Sequence, residues 1–229
     1  MALDNTLGTM LENAVVEGLP PGVAVRFADP ATGASEDDIF SVEAAAVARA
    51  RPKRQAEFFA GRFAAHRAME ALGKLPAPVP MGGDRAPRWP EGMTGSISHC
   101  DGACLAMVGL ARDFRALAVD IEPDADLPRD VLTMIALPAE RAWLASLPEA
   151  ERGRAGRLLF AAKEATYKLQ YPLSGRMLDF SDVEIGFGAG AGRFTARFAG
   201  SYGAIVAGQT INGAWARESG FVYCTMFFT

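Results

Sequence analysis

Residues 160–172 read FAAKEATYKLQYP. The stretch predicts the end of a helix running over 150–171. On a helix, Phe160, Glu164 and Lys168 lie on one stripe, with Lys163 and Tyr167 beside it. A carboxylate and an ammonium on one face can hold a metal ion and a phosphate side by side. Taken alone, the pair also reads as an exposed Glu-to-Lys contact at i, i+4, worth only ~0.3–0.5 kcal/mol.

Working outward, ALAVDIE (116–122) predicts an apolar strand ending in acids. Asp120 and Glu122 stand at i and i+2, so both side chains point to one face. Two carboxylates placed together repel unless a cation lies between them. Mg²⁺ prefers oxygen ligands, takes few carboxylates and leaves room for substrate phosphate. Asp124 and Asp126 follow, so a solvated acidic turn is the plainer reading of this segment by itself. GSISH (95–99) predicts another strand, and His99 at its end can donate to a phosphate oxygen. A lone histidine is as readily structural or exposed.

Further strands are expected at 22–28, 103–110, 182–187, 193–198, 213–218 and 221–228. Helices are expected at 4–16, 36–49 with Ser41 as its cap, 52–72, 129–136 and 139–147. Pro52 can open its helix, and Phe58, Phe59, Phe63, Ala64 and Met69 can line the buried face, with Arg54, Glu57 and Arg62 largely elsewhere. Pro76, Pro78, Pro80, Pro87 and Pro90 make 74–93 a long loop, of the length that is usually functional or disordered. Helices and strands are mixed without regular βαβ alternation, which predicts α+β.

The chain has 229 residues, half of them hydrophobic, with a net charge of −4. It is long enough to bury a sizeable core in one unit, with no linker and no internal sequence repeat. The charge gives no support to general nucleic-acid binding, although Arg49, Arg51, Lys53, Arg54, Arg62 and Arg67 form a local basic cluster. Three cysteines, Cys100, Cys104 and Cys224, with only His66 and His99, argue against a zinc site and for free thiols in a reducing compartment. The N-terminus lacks a signal-peptide pattern and no apolar run is long enough to span a bilayer. A cytoplasmic protein with no membrane and no nucleic-acid partner is expected.

Together, GSISHC, AVDIE and FAAKEATYK in this order resemble the Sfp-type family of 4′-phosphopantetheinyl transferases, in particular the branch typified by enterobactin synthase component D. The resemblance extends to KRQAEFFAGR (53–62), GGDRAPRWPEGMTGSISHC (82–100), LPAERAW (137–143) and YPLSGRMLDFSD (171–182). It covers roughly residues 50–185. Ala118 departs from the glycine that the family often has two residues before its first metal aspartate.

The resemblance implies an enzyme that moves phosphopantetheine from coenzyme A to a serine of an acyl, peptidyl or aryl carrier protein and releases 3′,5′-ADP. It implies Mg²⁺ held by Asp120, Glu122 and Glu164. Lys168 matches a lysine that neutralises the pyrophosphate, and Lys163 a motif lysine for phosphate contact or local structure. Ser98 and His99 match residues on the coenzyme A phosphates. Arg54, Arg62 and Arg85 match basic residues at the nucleotide end, where a guanidinium fork suits phosphate oxygens. Arg49, Arg51 and Arg67 read as a solvated helix face. Glu164 is the first candidate for taking the serine proton and Glu122 the second. The segment with Arg176, Met177 and Leu178 is a candidate docking edge for the carrier.

The implied fold is two pseudo-twofold-related lobes in a single unit over 1–229. Each lobe, approximately 1–115 and 116–229, has a small antiparallel sheet and a long helix. A monomer is expected, in siderophore-type or other secondary metabolism. A Mg²⁺-dependent phosphoester or pyrophosphate hydrolase could use the same acids with water as nucleophile. A non-catalytic coenzyme A or carrier-protein binding module would be expected to have lost some of these acids or Lys168. Nothing in the composition asks for a scaffold protein.

Overall fold

The structure is a computed structural model, and it describes residues 3–16, 19–32, 34–188 and 192–229. The chain is α+β, with two antiparallel sheets and a long helix against each. The first sheet has the order β1-β3-β2, from β1 (Val23–Ala28), β2 (Met93–Cys100) and β3 (Ala103–Leu110). The second has five strands in the order β4-β8-β7-β6-β5, from β4 (Ala116–Pro123), β5 (Val183–Phe187), β6 (Arg193–Phe198), β7 (Thr210–Glu218) and β8 (Phe221–Phe228). Helix α1 (Leu3–Val16) lies against β1.

The period-2 alternation of the strands sorts side chains into three cores. Along β3, Cys104, Ala106 and Val108 face the long helix α3 (Pro52–Ala71), while Leu105 and Met107 face the second sheet. Along β4, Leu117, Val119 and Ile121 join that shared core. Ala116 and Ala118 face α6 (Glu149–Ser174). The alternation therefore turns Asp120 and Glu122 toward α6 as well.

The segment expected as one helix over 36–49 is instead a 3-10 turn at Glu36–Asp38, the short helix α2 (Ser41–Ala44) and a second 3-10 turn at Ala45–Val47. Ser41 is not its cap: Phe40 takes the N-cap position and Ser41 is the first helical residue. The cause is Glu43, whose carboxylate is wholly buried and is shared between the Phe40 N–H, the Val79 N–H and His66.

Two short helices, α4 (Arg129–Ile135) and α5 (Pro138–Ser146), precede α6. Helix α6 runs past Pro172 to Ser174, three residues beyond the expected end, and stops at Gly175 in the left-handed conformation (φ 65). Pro172 sits in the last turn, where only the Lys168 carbonyl loses its partner.

Helix α3 approaches β2 closely because Gly61 faces Ile97: a Cβ there would lie 2.9 Å from the Ile97 Cγ2. Arg62, expected off the buried face, is 5% exposed. Its Nε donates to Val79 O at 2.6 Å and its guanidinium stacks 4.2 Å from the Phe58 ring, so the proline-rich segment covers it.

Candidate active site

Strands β2 and β4 belong to different sheets yet run alongside each other. Their seam is made by serine side chains in place of a backbone ladder. Ser98 Oγ accepts the Ile121 N–H at 3.3 Å and donates to Asp120 Oδ1 at 2.8 Å. Ser96 Oγ donates to Val119 O at 3.4 Å. The seam brings GSISHC onto AVDIE, and the facing stripe of α6 completes the cluster.

Lys168 Nζ donates to Asp120 Oδ1 at 2.6 Å and to Ser98 Oγ at 2.8 Å. Asp120 is 3% exposed, and its second oxygen, Oδ2, is buried without a hydrogen-bond partner among the described residues. A buried carboxylate oxygen left unpaired costs free energy until a cation or donor reaches it. Burial pushes the Glu122 carboxyl up to about 7, with Asp120 adding to the rise and Arg157 opposing it. Arg157 Nη1 donates to Glu122 Oε2 at 2.9 Å. Burial, then the Asp120 charge, also raises Glu164 above the ordinary carboxyl range, against the pull of Lys168. No hydrogen bond joins Glu164 to another described side chain.

Glu122 and Glu164 each feel the Asp120 charge, and the Asp120 oxygen with no partner among the described residues is the feature that a hard cation would satisfy. Among the described residues, no three His, Cys, Asp or Glu side chains are gathered closely enough to hold a metal ion by themselves. The donor set suits Mg²⁺ with a shell shared between protein carboxylates, water and phosphate.

His99, at the end of β2, lies with its Nε2 2.7 Å from Arg54 Nη1, and its Nδ1 is 3.7 Å from Glu57 Oε2. Burial lowers its pKa against the pull of Glu57, with Arg54 and Lys168 adding to the fall. Arg54, His99 and Glu57 form one group at the start of α3. Arg62 stands two turns along the same helix, and burial brings its guanidinium down to about 10. Arg85 is exposed at the tip of the proline-rich loop, at φ 67.

That loop is ordered by side chains from elsewhere. Tyr171 Oη and Arg88 Nη2 both donate to Asp84 Oδ2, at 3.0 and 2.9 Å, which straps the loop to α6. Between them lies a groove of about 430 Å³ lined by Arg85, Trp89, Ser96, Tyr167 and Lys168. A second cavity of about 240 Å³ opens on the other side of Tyr167, lined by Glu164, Met177, Leu178 and Phe180.

Lys163 does not join the cluster. It is 4% exposed, its ammonium is 3.0 Å from Glu140 Oε1, and it donates to Phe180 O and Val183 O at 2.8 Å each. Burial lowers its pKa and Glu140 opposes the fall. Arg176 is exposed and lies 5.4 Å from the Tyr202 ring. Sequence reasoning missed Arg157, Glu57 and Glu140. Arg157 was open to discovery, because it precedes Glu164 by two helical turns on the same stripe. The three cysteines are unpaired, and burial pushes the Cys100 thiol up to about 12, so none is a ready nucleophile.

Residues 42–109 match the 4′-phosphopantetheinyl transferase N-terminal domain, and residues 116–215 match the 4′-phosphopantetheinyl transferase superfamily. The chain is 44% identical over 199 residues to the 4′-phosphopantetheinyl transferase Svp of Streptomyces mobaraensis, covering 83% of this chain and 80% of that one. The chain belongs to the 4′-phosphopantetheinyl transferase superfamily. It is 41% identical over 187 residues to the 4′-phosphopantetheinyl transferase PptT of Mycobacterium tuberculosis, covering 79% of this chain and 82% of that one. It is 34% identical over 142 residues to enterobactin synthase component D of Escherichia coli, covering 61% and 66%. As a 4′-phosphopantetheinyl transferase it is an enzyme that takes coenzyme A as substrate and makes a holo carrier protein.

Proposed function

We propose that this phosphopantetheinyl transferase works with Mg²⁺ held by Asp120, Glu122 and Glu164, with Lys168 and Ser98 beside it. The observation that carries the reading is the Asp120 carboxylate, one oxygen bonded to Lys168 and Ser98 and the other buried and unpaired. When bound, Mg²⁺ supplies Lewis-acid neutralisation of the coenzyme A pyrophosphate.

The chain's own groups do the rest. Lys168 and Ser98 stand at the seam, His99 and Arg54 continue from it toward the nucleotide, Arg85 reaches it from the loop, and the buried Arg62 braces the proline-rich segment through Val79 O. The carrier serine oxygen attacks the β-phosphorus of coenzyme A, the bond to the bridging oxygen breaks, and 3′,5′-ADP departs with the electron pair. Lys168 stabilises the negative charge that grows on the pyrophosphate.

Glu164 takes the serine proton. No side-chain hydrogen bond ties its carboxylate down among the described residues, so it is free to accept the proton directly or through a water. Glu122 is the weaker candidate, because Arg157 already occupies its carboxylate. Lys163, although adjacent to Glu164, is committed to Glu140 and two carbonyls.

The carrier docks at the edge that Arg176, Met177 and Leu178 present. Met177 is 73% exposed beside the Glu164 cavity, and carriers of this kind are acidic with an apolar patch near the serine. Similarity to enterobactin synthase component D supports a carrier from siderophore-type secondary metabolism. The reading takes the whole chain as one monomeric, cytoplasmic unit of two lobes, which light scattering and cell fractionation test.

Product analysis separates transfer from hydrolysis. Coenzyme A and Mg²⁺ are incubated with the enzyme, with and without an apo carrier protein. The reading predicts 3′,5′-ADP only when carrier is present. Release of free 4′-phosphopantetheine without carrier would instead establish a hydrolase.

A further inference from the structure

Glu43 and Glu140 are fully buried acids, each set ahead of a long helix. Each turns one oxygen back to the backbone N–H three residues earlier, Phe40 N at 2.9 Å and Leu137 N at 2.7 Å. The other oxygen of each accepts an N–H from a remote segment, Val79 N at 2.6 Å and Ile185 N at 2.8 Å. That same oxygen meets a side chain of the long helix, His66 Nε2 on α3 and Lys163 Nζ on α6, each at 3.0 Å. His66 follows Glu43 by 23 residues, and the same interval separates Lys163 from Glu140. His66 and Lys163 also stand equally far from the first residues of their helices, Pro52 and Glu149. The device recurs as spacing and bonding, without a repeat of the surrounding sequence.

In the first copy the helix partner is His66, which lies within the fold, 5% exposed. Lys163 holds the corresponding place. Its ammonium, buried where that of Lys168 is partly exposed, is held by Glu140, Phe180 O and Val183 O. The backbone it grips leads into β5. Met177, Leu178 and Phe180 just before it form the wall facing Glu164 and Tyr167 across the 240 Å³ cavity.

We infer that Lys163 and Glu140 are a pair of positioning residues, fixing that wall against Glu164 and holding the Glu164 turn of α6 in register. The inference rests on the transferase reading, since it concerns how Glu164 meets the carrier serine.

The test compares Lys163→Met, Glu140→Gln and the double variant Glu140→Gln/Lys163→Met with the parent enzyme, well below each melting temperature. Transfer to an apo carrier domain gives kcat and KM for coenzyme A, and calorimetry gives the affinity for 3′,5′-ADP. Each single variant is expected to lose about tenfold or more in kcat, as misplacement of a reacting group does. Affinity for 3′,5′-ADP is expected to stay within about twofold, and the double variant to recover part of kcat, because the neutral pair leaves no buried charge unpaired while the carboxamide oxygen introduced by Glu140→Gln still accepts a backbone N–H.

Two results would overturn the inference. One is 3′,5′-ADP binding weakened about tenfold by Lys163→Met and untouched by Glu140→Gln, a phosphate ligand's signature. The other is unchanged kcat per folded molecule in both single variants. If a single variant does not fold, Lys163→Arg and the double variant carry the same comparison. A parent enzyme that modifies no carrier strikes the transferase reading, and the 3′,5′-ADP affinities of the variants still decide between positioning and ligation.

Discussion

Lys168 Nζ lies 2.6 Å from Asp120 Oδ1, while Asp120 Oδ2 is buried with no partner. The carboxylate is thus half satisfied by the protein, and its charge adds to the raised pKa of both Glu122 and Glu164.

Asp120→Asn keeps an acceptor for Lys168 and Ser98 and removes the charge. Mg²⁺ affinity and transfer are expected to fall together, by about a hundredfold or more in kcat/KM. Titration calorimetry with Mg²⁺ alongside a transfer assay checks this. Unchanged Mg²⁺ affinity would remove Asp120 from the metal.

Arg157 holds Glu122 at 2.9 Å and opposes the rise of its pKa. Arg157→Met therefore leaves a half-buried acid that ionises less readily. The Mg²⁺ concentration for half-maximal rate is expected to rise about tenfold, with most activity returning at saturating metal. A loss that excess Mg²⁺ does not repair would give Arg157 a different role.

Burial alone would raise the Glu43 pKa, but His66 and the Val79 and Phe40 N–H groups together hold it below its ordinary 4.5. A depressed carboxyl stabilises the fold above its unfolded pKa. That contribution is lost as pH falls below about 4.5 through the folded value. Glu43→Gln is expected to be less stable at neutral pH and to show a shallower fall in melting temperature over this acid range. Equal acid slopes in both proteins would count against the clasp.

Gly95 sits where a Cβ would come 2.5 Å from Met107 O and 2.7 Å from the Trp89 ring. The backbone of β3 cannot move aside cheaply, so Gly95→Ala is expected to cost about 1–3 kcal/mol by urea unfolding. A neutral substitution would mean that β2 and the proline-rich loop are less tightly joined than the geometry states.

Periodicity made much of this site legible. Period 2 put Asp120 and Glu122 on one face of β4, and the helical stripe put Glu164 and Lys168 on one face of α6. Which lysine served the cluster was not written locally. Lys163 and Lys168 differ by the partner that tertiary packing brings, Glu140 for one and Asp120 for the other. Arg62 was misplaced for the same reason, since only the distant Val79 segment buries it. The broken helix at 36–49 likewise depends on Glu43 reaching His66 and Val79. Ser98 was legible through the family resemblance as a contact to coenzyme A phosphate, but the work of Ser96 and Ser98 as the seam to β4 required two sheets to meet.

The most direct test is the intact mass of an apo carrier protein after incubation with this enzyme, coenzyme A and Mg²⁺, with and without EDTA. The account predicts a gain of one phosphopantetheine on the carrier serine, abolished by EDTA and absent with Asp120→Asn. Undiminished modification in EDTA, or full modification by Asp120→Asn, would contradict the metal-centred cluster on which the account turns.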